Sequence, residues 1–169
     1  MKTLILIRHA KSSWKHPDLP DLLRPLNKRG QRDAPVMGGR LAKREVEPDL
    51  IASSPATRAI ATAEAMAQEI GYPEEDIRVD ERLYEASAFD LLEIIQGLDN
   101  ALEHVMLIGH NPGLTELAND LGCDVDNIPT CGVVELQFDI GSWALVGDVD
   151  PIHIDFDYPK NRSQKLMQI

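Results

Sequence analysis

The chain has 169 residues, of which 43% are hydrophobic and 27% charged, with a formal net charge of −11. That is the make-up of an ordinary globular domain with room for a sizeable core, and the acidic balance argues against general nucleic-acid binding. No apolar run approaches a membrane span, and only Leu4–Ile7 precede Arg8 and His9, too few for a signal peptide, so the expected location is cytoplasmic with no membrane partner.

The charge is unevenly spread. Residues 1–44 hold eleven Lys and Arg against Asp18, Asp21 and Asp33, a local balance of +8 on a remainder of −19. A basic quarter on an acidic body suits a local site for an anion, or a solvated basic face. Cys123 and Cys131 form no Cys-x-x-Cys pair and lack a zinc-type spacing to His, so both read as buried thiols.

In chain order, residues 3–7 are short, continuous and apolar, a buried strand. Residues 10–27 are rich in Pro, Asp, Ser and Lys and read as loop, and 28–44 read as helical in their second half. Residues 49–53 read as a second strand, after which Ser54 and Pro55 read as N-cap and first position of a helix ending at Gly71-Tyr72-Pro73. A short strand at 77–79 and an amphipathic helix over 90–102 follow. A third buried strand at 104–108 turns through Gly109–Gly113 into a helix ending near Gly122. Residues 133–139 and 143–149 read as a β-hairpin, and about 160–169 as a frayed polar tail. The alternation predicts a single domain over 1–169 with a three-layer α/β/α fold and a largely parallel sheet.

Three strands lead into residues that folding alone does not demand. The first runs into Arg8-His9, the second into Ser53-Ser54 and then Arg58, the third through Gly109 to His110. Ligands of open α/β sheets bind at the carboxyl ends of strands, beside helix N-termini, so these side chains are expected to meet. Two guanidinium forks suit a phosphate dianion, and a neutral imidazole can attack phosphorus. A second, protonated imidazole can donate to the developing charge. Hence His9 is the candidate nucleophile, with Arg8, Arg58 and His110 as the phosphate pocket. Glu85 is the candidate acid for the leaving group. There is no Cys-x5-Arg, no Gly-x4-Gly-Lys loop and no metal-ligand spacing among the remaining histidines.

Leu6-Ile7-Arg8-His9-Ala10, Ser53-Ser54-Pro55-Ala56-Thr57-Arg58-Ala59 and Ile108-Gly109-His110-Asn111 occur in that order. Together they resemble the motifs of the histidine phosphatase superfamily, with its phosphoglycerate mutase-like fold. Ala10-Lys11-Ser12-Ser13-Trp14, Arg24-Pro25-Leu26-Asn27-Lys28-Arg29-Gly30 and the short length are most similar to the SixA-type phosphohistidine phosphatases. The resemblance implies phosphorylation of His9, a pocket of Arg8, Arg58 and His110, an acid at Glu85, a further contact from Arg24 to the phosphate or its carrier, and neither metal nor organic cofactor. Ala10 departs from the Gly that many members carry there. The expected substrate is a phosphohistidine domain of a protein, with a small phosphorylated metabolite, such as a sugar or nucleotide phosphate, as the alternative. A non-catalytic phosphate-binding regulatory domain is the remaining reading.

Overall fold

The structure, a computed structural model, describes residues 1–161. A six-stranded sheet forms its middle layer, in the order β3 (Arg78–Val79), β2 (Leu50–Ser53), β4 (His104–Gly109), β1 (Lys2–Arg8), β5 (Val133–Phe138) and β6 (His153–Asp157). The first four run parallel; β5 and β6 are antiparallel additions at one side.

Strand side chains alternate between faces, and in β1 both faces are apolar. Ile5 and Ile7 face one core, with Ile51, Met106 and Ile108, beneath α1 (Lys28–Lys43) and α2 (Thr57–Ile70). Leu4 and Leu6 face the other, with Leu50, Val105 and Leu107, beneath α3 (Ala88–Gln96) and α4 (Gly113–Asp120). The three-layer architecture with a largely parallel sheet is therefore present. Among the described residues no helix is long and apolar enough to cross a membrane. Cys123 and Cys131 are buried free thiols.

Four local expectations are corrected. The partner of β5 is β6, not residues 143–149: Trp143–Leu145 form a 3-10 turn, and the buried Trp143 ring donates its Nε1 proton to the Leu102 carbonyl at 2.8 Å. The apolar pattern there plugs the end of the sheet instead of pairing with it. Helix α2 starts at Thr57 behind Ala56, with no side-chain cap. The Ser54 hydroxyl instead accepts from the Ala56 amide at 3.2 Å and meets His110. Helix α1 is continuous from Lys28 despite Pro35, because Asn27 caps the Gly30 amide and Ala34, Met37 and Leu41 bury one face. Helix α3 is shorter than expected, opening at a Ser87/Asp90 capping box and stopping before Gly97. The tail expected to fray lies mostly at residues 162–169, outside the described residues.

Candidate active site

The carboxyl ends of β1, β2 and β4 converge, and the side chains that follow them line one pocket of about 320 Å³. Arg8, His9, Arg58, His110, Arg24 and Glu85 all contribute to its wall, so every residue expected at the site is brought to it. The His9 and His110 rings lie 5.0 Å apart, centroid to centroid.

His9 is fixed by its own backbone and that of its neighbours. Its amide donates to the Gly109 carbonyl at 3.2 Å, tying β1 to β4, and the Cys131 amide reaches the carbonyls of Arg8 and His9. Ala10 is fully buried, and its amide donates to Thr62 Oγ1 at 2.9 Å, which itself donates to the Arg58 carbonyl. The methyl group at Ala10 is thus accommodated, and one short chain of bonds joins the nucleophile's loop to the helix that carries Arg58. His9 Nδ1 lies 2.8 Å from the Ala10 carbonyl. A carbonyl can only accept, so Nδ1 carries the proton and Nε2 keeps its lone pair. Arg58 Nε, 3.4 Å away, donates to that nitrogen. Burial, reinforced by the charges of His110, Arg58 and Arg8, lowers the His9 pKa to about 3.

His110 is oriented the same way. Arg58 Nη2 approaches its Nδ1 at 3.5 Å, so Nδ1 accepts and Nε2 donates to Ser54 Oγ at 2.7 Å. Burial and the neighbouring Arg58 lower its pKa to about 4. The protonated imidazole expected from the sequence is therefore not the resting state; the charge has to arrive with an anion. Arg8 donates from Nη1 to the Ile128 carbonyl at 3.0 Å, and its buried Nε has no hydrogen-bond partner among the described residues.

Arg24 is largely committed elsewhere. Its Nε donates to Asp21 at 3.1 Å, its Nη1 to Ser12 at 2.8 Å, and its guanidinium stacks 3.6 Å from the centre of the exposed Trp14 ring. Glu85 stands exposed at the pocket mouth with a backbone φ of 57°. Its loop is set by Gly113, the first residue of α4, where any Cβ would overlap the Ala86 carbonyl oxygen.

Two wall residues escaped the sequence reading. Asp21 Oδ2 accepts from Arg58 Nη2 at 3.0 Å and from the Tyr84 hydroxyl at 2.6 Å. Tyr84 packs edge-on against His110, with ring centroids 5.5 Å apart. The hydroxyl of Tyr84, then Arg58 and Arg24, hold the Asp21 carboxyl well below the usual carboxylate range. The same bond to Asp21 pushes Tyr84 up to about 12. Nothing in the local pattern of residues 10–27 marks Asp21, since its partners lie on α2 and on the loop before α3. Among the described residues, no group of three or more His, Cys, Asp or Glu is placed to hold a metal ion.

Residues 4–100 match the family model of the histidine phosphatase superfamily (branch 1). The chain belongs to that superfamily. A chloroplastic protein of Arabidopsis thaliana, itself uncharacterized, is 35% identical over 150 residues, covering 84% of this chain and 69% of its own. A structure assigned as phosphohistidine phosphatase SixA from Agrobacterium tumefaciens superposes with a TM-score of 0.77 at 30% identity, covering 94% of this chain and 98% of that one. A protein histidine phosphatase SixA complexed with tungstate shares the fold, with a TM-score of 0.78 at 20% identity over 95% and 99% of the two chains. The phosphoglycerate mutase-like architecture and the likeness to SixA both follow. Membership of this superfamily supports a phosphatase in the coarse sense and leaves the substrate to be argued from the pocket.

Proposed function

We propose that this chain is a protein phosphohistidine phosphatase that works through a phosphorylated His9, without metal or cofactor. The observation that carries the covalent step is the tautomer of His9: Nδ1 is spent on the Ala10 carbonyl, so the unprotonated Nε2 faces Arg58 and the pocket. An imidazole with a pKa of about 3 is unprotonated at neutral pH and needs no separate base.

The reaction has two displacements. In the first, His9 Nε2 attacks phosphorus while the bond to the leaving group breaks, and Glu85 supplies the proton that the leaving group takes. Arg8 and Arg58 neutralise the equatorial oxygens, and His110, which takes a proton from solvent as the anion binds, donates a hydrogen bond to the developing charge. In the second, water gives its proton to Glu85 and attacks the phosphorus, and the P–N bond electrons return to His9. His9 lies on the pocket floor, 7% exposed, so in-line geometry directs the leaving group outward, past Glu85, Asp21 and Trp14.

A protein substrate is supported by what surrounds that exit. Trp14 is 70% exposed, and Leu22 and Leu23 stand in water on the same segment. Such an apolar rim suits a partner surface more than a small hydrophilic metabolite. A leaving imidazole is readily protonated, which fits a mouth whose candidate acid, Glu85, is exposed. The second reading, a small-molecule phosphomonoesterase, draws on Lys11 and Arg24, cationic wall residues that could hold a second anionic group. The cytoplasmic location keeps its support in the two free thiols.

The test has two parts. Incubation with a phosphoryl donor is expected to leave an acid-labile, base-stable label on wild type and none on His9→Ala; no label on wild type, or label retained in the variant, defeats the covalent mechanism. Turnover of a phosphohistidine-bearing protein is then compared with a panel of sugar, nucleotide and amino-acid phosphoesters. Preference for the esters replaces the first substrate reading with the second.

A further inference from the structure

Asp21 takes no part in this chemistry, yet it occupies the best of the phosphate-binding equipment. It accepts from both terminal nitrogens of Arg58, through its carbonyl from Nη1 at 2.7 Å and through Oδ2 from Nη2 at 3.0 Å. Toward the pocket floor Arg58 keeps its Nε on His9 at 3.4 Å and a longer approach of Nη2 to His110 at 3.5 Å. A phosphoryl group in line with His9 Nε2 needs the same guanidinium, because paired donors at fixed spacing are what guanidinium offers two oxygens of a phosphate. A carboxylate left in place would also set its charge against the phosphoryl oxygens.

We propose that Asp21 is an internal competitor for the phosphate clamp: it holds Arg58 in the empty site, and the incoming phosphoryl group takes Arg58 from it. The inference rests on the reading of the His9 pocket as a phosphoryl site.

The segment bearing Asp21 is built so that such an exchange is local. Its base is pinned, by the Ser12–Leu26 bridge, by the Ser13 amide on the Pro25 carbonyl at 2.8 Å, and by the Asn27 amide on the Lys11 carbonyl at 3.0 Å. Gly30 lets α1 close on this base, where a Cβ would overlap the Lys11 carbonyl oxygen. Between those points, among the described residues, the hydrogen bonds from residues 14–23 to other elements all run through Asp21, to Arg58 and Tyr84. Leu22 and Leu23 beside it are exposed, so shifting the tip uncovers little apolar surface. Tyr84 shares the carboxylate with Arg58 and can keep its hydrogen bond when Arg58 is withdrawn.

The arrangement predicts that a good internal acceptor weakens the external one. The experiment is a calorimetric titration of inorganic phosphate into the full chain, as wild type, Asp21→Asn, Asp18→Asn and Arg58→Ala, with melting temperatures to confirm folding. Losing one charge-assisted hydrogen bond from the competitor is expected to tighten phosphate binding about tenfold in Asp21→Asn. Asp18 stands exposed on the same segment, outside the pocket wall, so Asp18→Asn controls for charge alone and is expected to change affinity by less than about threefold, as for a weak exposed charge. Unchanged or weaker binding in Asp21→Asn overturns the proposal, and so does equal tightening in Asp18→Asn. Arg58→Ala separates the two levels. If it loses phosphate while Asp21→Asn behaves as wild type, the phosphoryl pocket stands and the competitor falls. If it binds phosphate like wild type, the pocket reading itself fails and takes the competitor with it. Should Asp21→Asn not fold, Asp21→Ala carries the test: it removes the competing carboxylate altogether, so tighter phosphate supports the exchange and unchanged or weaker binding overturns it.

Discussion

His9 donates its Nδ1 proton to the carbonyl oxygen of Ala10, and Arg58 Nε approaches the opposite nitrogen at 3.4 Å. The ring is thereby held in one tautomer by an acceptor that cannot be exchanged for another without moving the main chain. Its reactivity is a property of the backbone path that follows β1.

The first prediction concerns protonation. Folding lowers the His9 and His110 pKa values from 6.5 to about 3 and about 4, so the unfolded chain binds protons that the native site refuses. Linkage then makes stability fall as pH drops below about 6.5, with the loss complete near the folded values; above about 6.5 the two groups add no slope. Imidazole NMR signals of His9 and His110 are expected to stay flat between pH 5 and 8. A midpoint near pH 6.5 for either ring would contradict the burial argument. Binding of phosphate is expected to reverse this for His110 and to draw a proton from buffer, visible as a buffer-dependent heat.

Arg58→Ala is expected to cut turnover by about 10²–10³ or more, the usual scale for removing one preorganised donor to transition-state charge. The same substitution leaves Asp21 with Arg24 as its remaining guanidinium partner, so steady-state kinetics at saturating substrate are the appropriate measure. Near-normal kcat would remove Arg58 from the site.

Chelation is expected to do nothing. Charge neutralisation in this pocket is assigned to Arg8, Arg58 and His110, and activity after dialysis against EDTA should match the untreated enzyme. Loss that divalent metal restores would assign the electrophile elsewhere.

Two glycines should respond in opposite senses to alanine. Gly39 lies inside α1, and a Cβ there meets nothing within 4 Å, so Gly39→Ala gains helix propensity and stabilises by about 0.5–1 kcal/mol. Gly113 opens α4, and a Cβ there overlaps the Ala86 carbonyl, so Gly113→Ala destabilises by about 1–3 kcal/mol. It also pushes out the loop bearing Tyr84 and Glu85, so its activity falls along with its melting temperature.

Much of this molecule is legible in its sequence. The buried strands announced themselves because both faces of β1, β2 and β4 are covered, which leaves unbroken apolar runs. His9, Arg58 and His110 were findable because parallel strands carry their carboxyl ends to one side. Asp21 was not, because its place depends on how an irregular segment folds over α2, and no periodicity encodes that. The second strand of the expected hairpin failed for a related reason. Residues 143–149 are apolar because Trp143 stops the end of the sheet, where the Lys2 ammonium lies 5.8 Å from its ring, and hydrophobicity alone cannot distinguish a plug from a strand. Ser54 looked like a helix cap and does satisfy one amide, but its hydroxyl also meets His110, a long-range contact invisible to local pattern.

The position of β1 has a consequence for synthesis. Its two neighbours in the sheet are β4, at residues 104–109, and β5, at residues 133–138. A strand reading Leu-Ile-Leu-Ile therefore leaves the ribosome long before either edge can be paired, and at about 5–20 residues per second it waits several seconds or more. A nascent chain cut short before β5 has His9 but neither the Cys131 amide that holds its carbonyl nor a finished sheet to carry it. The nucleophile is made well before the strands that render it competent, so products truncated ahead of β5 are sticky and silent instead of partially active.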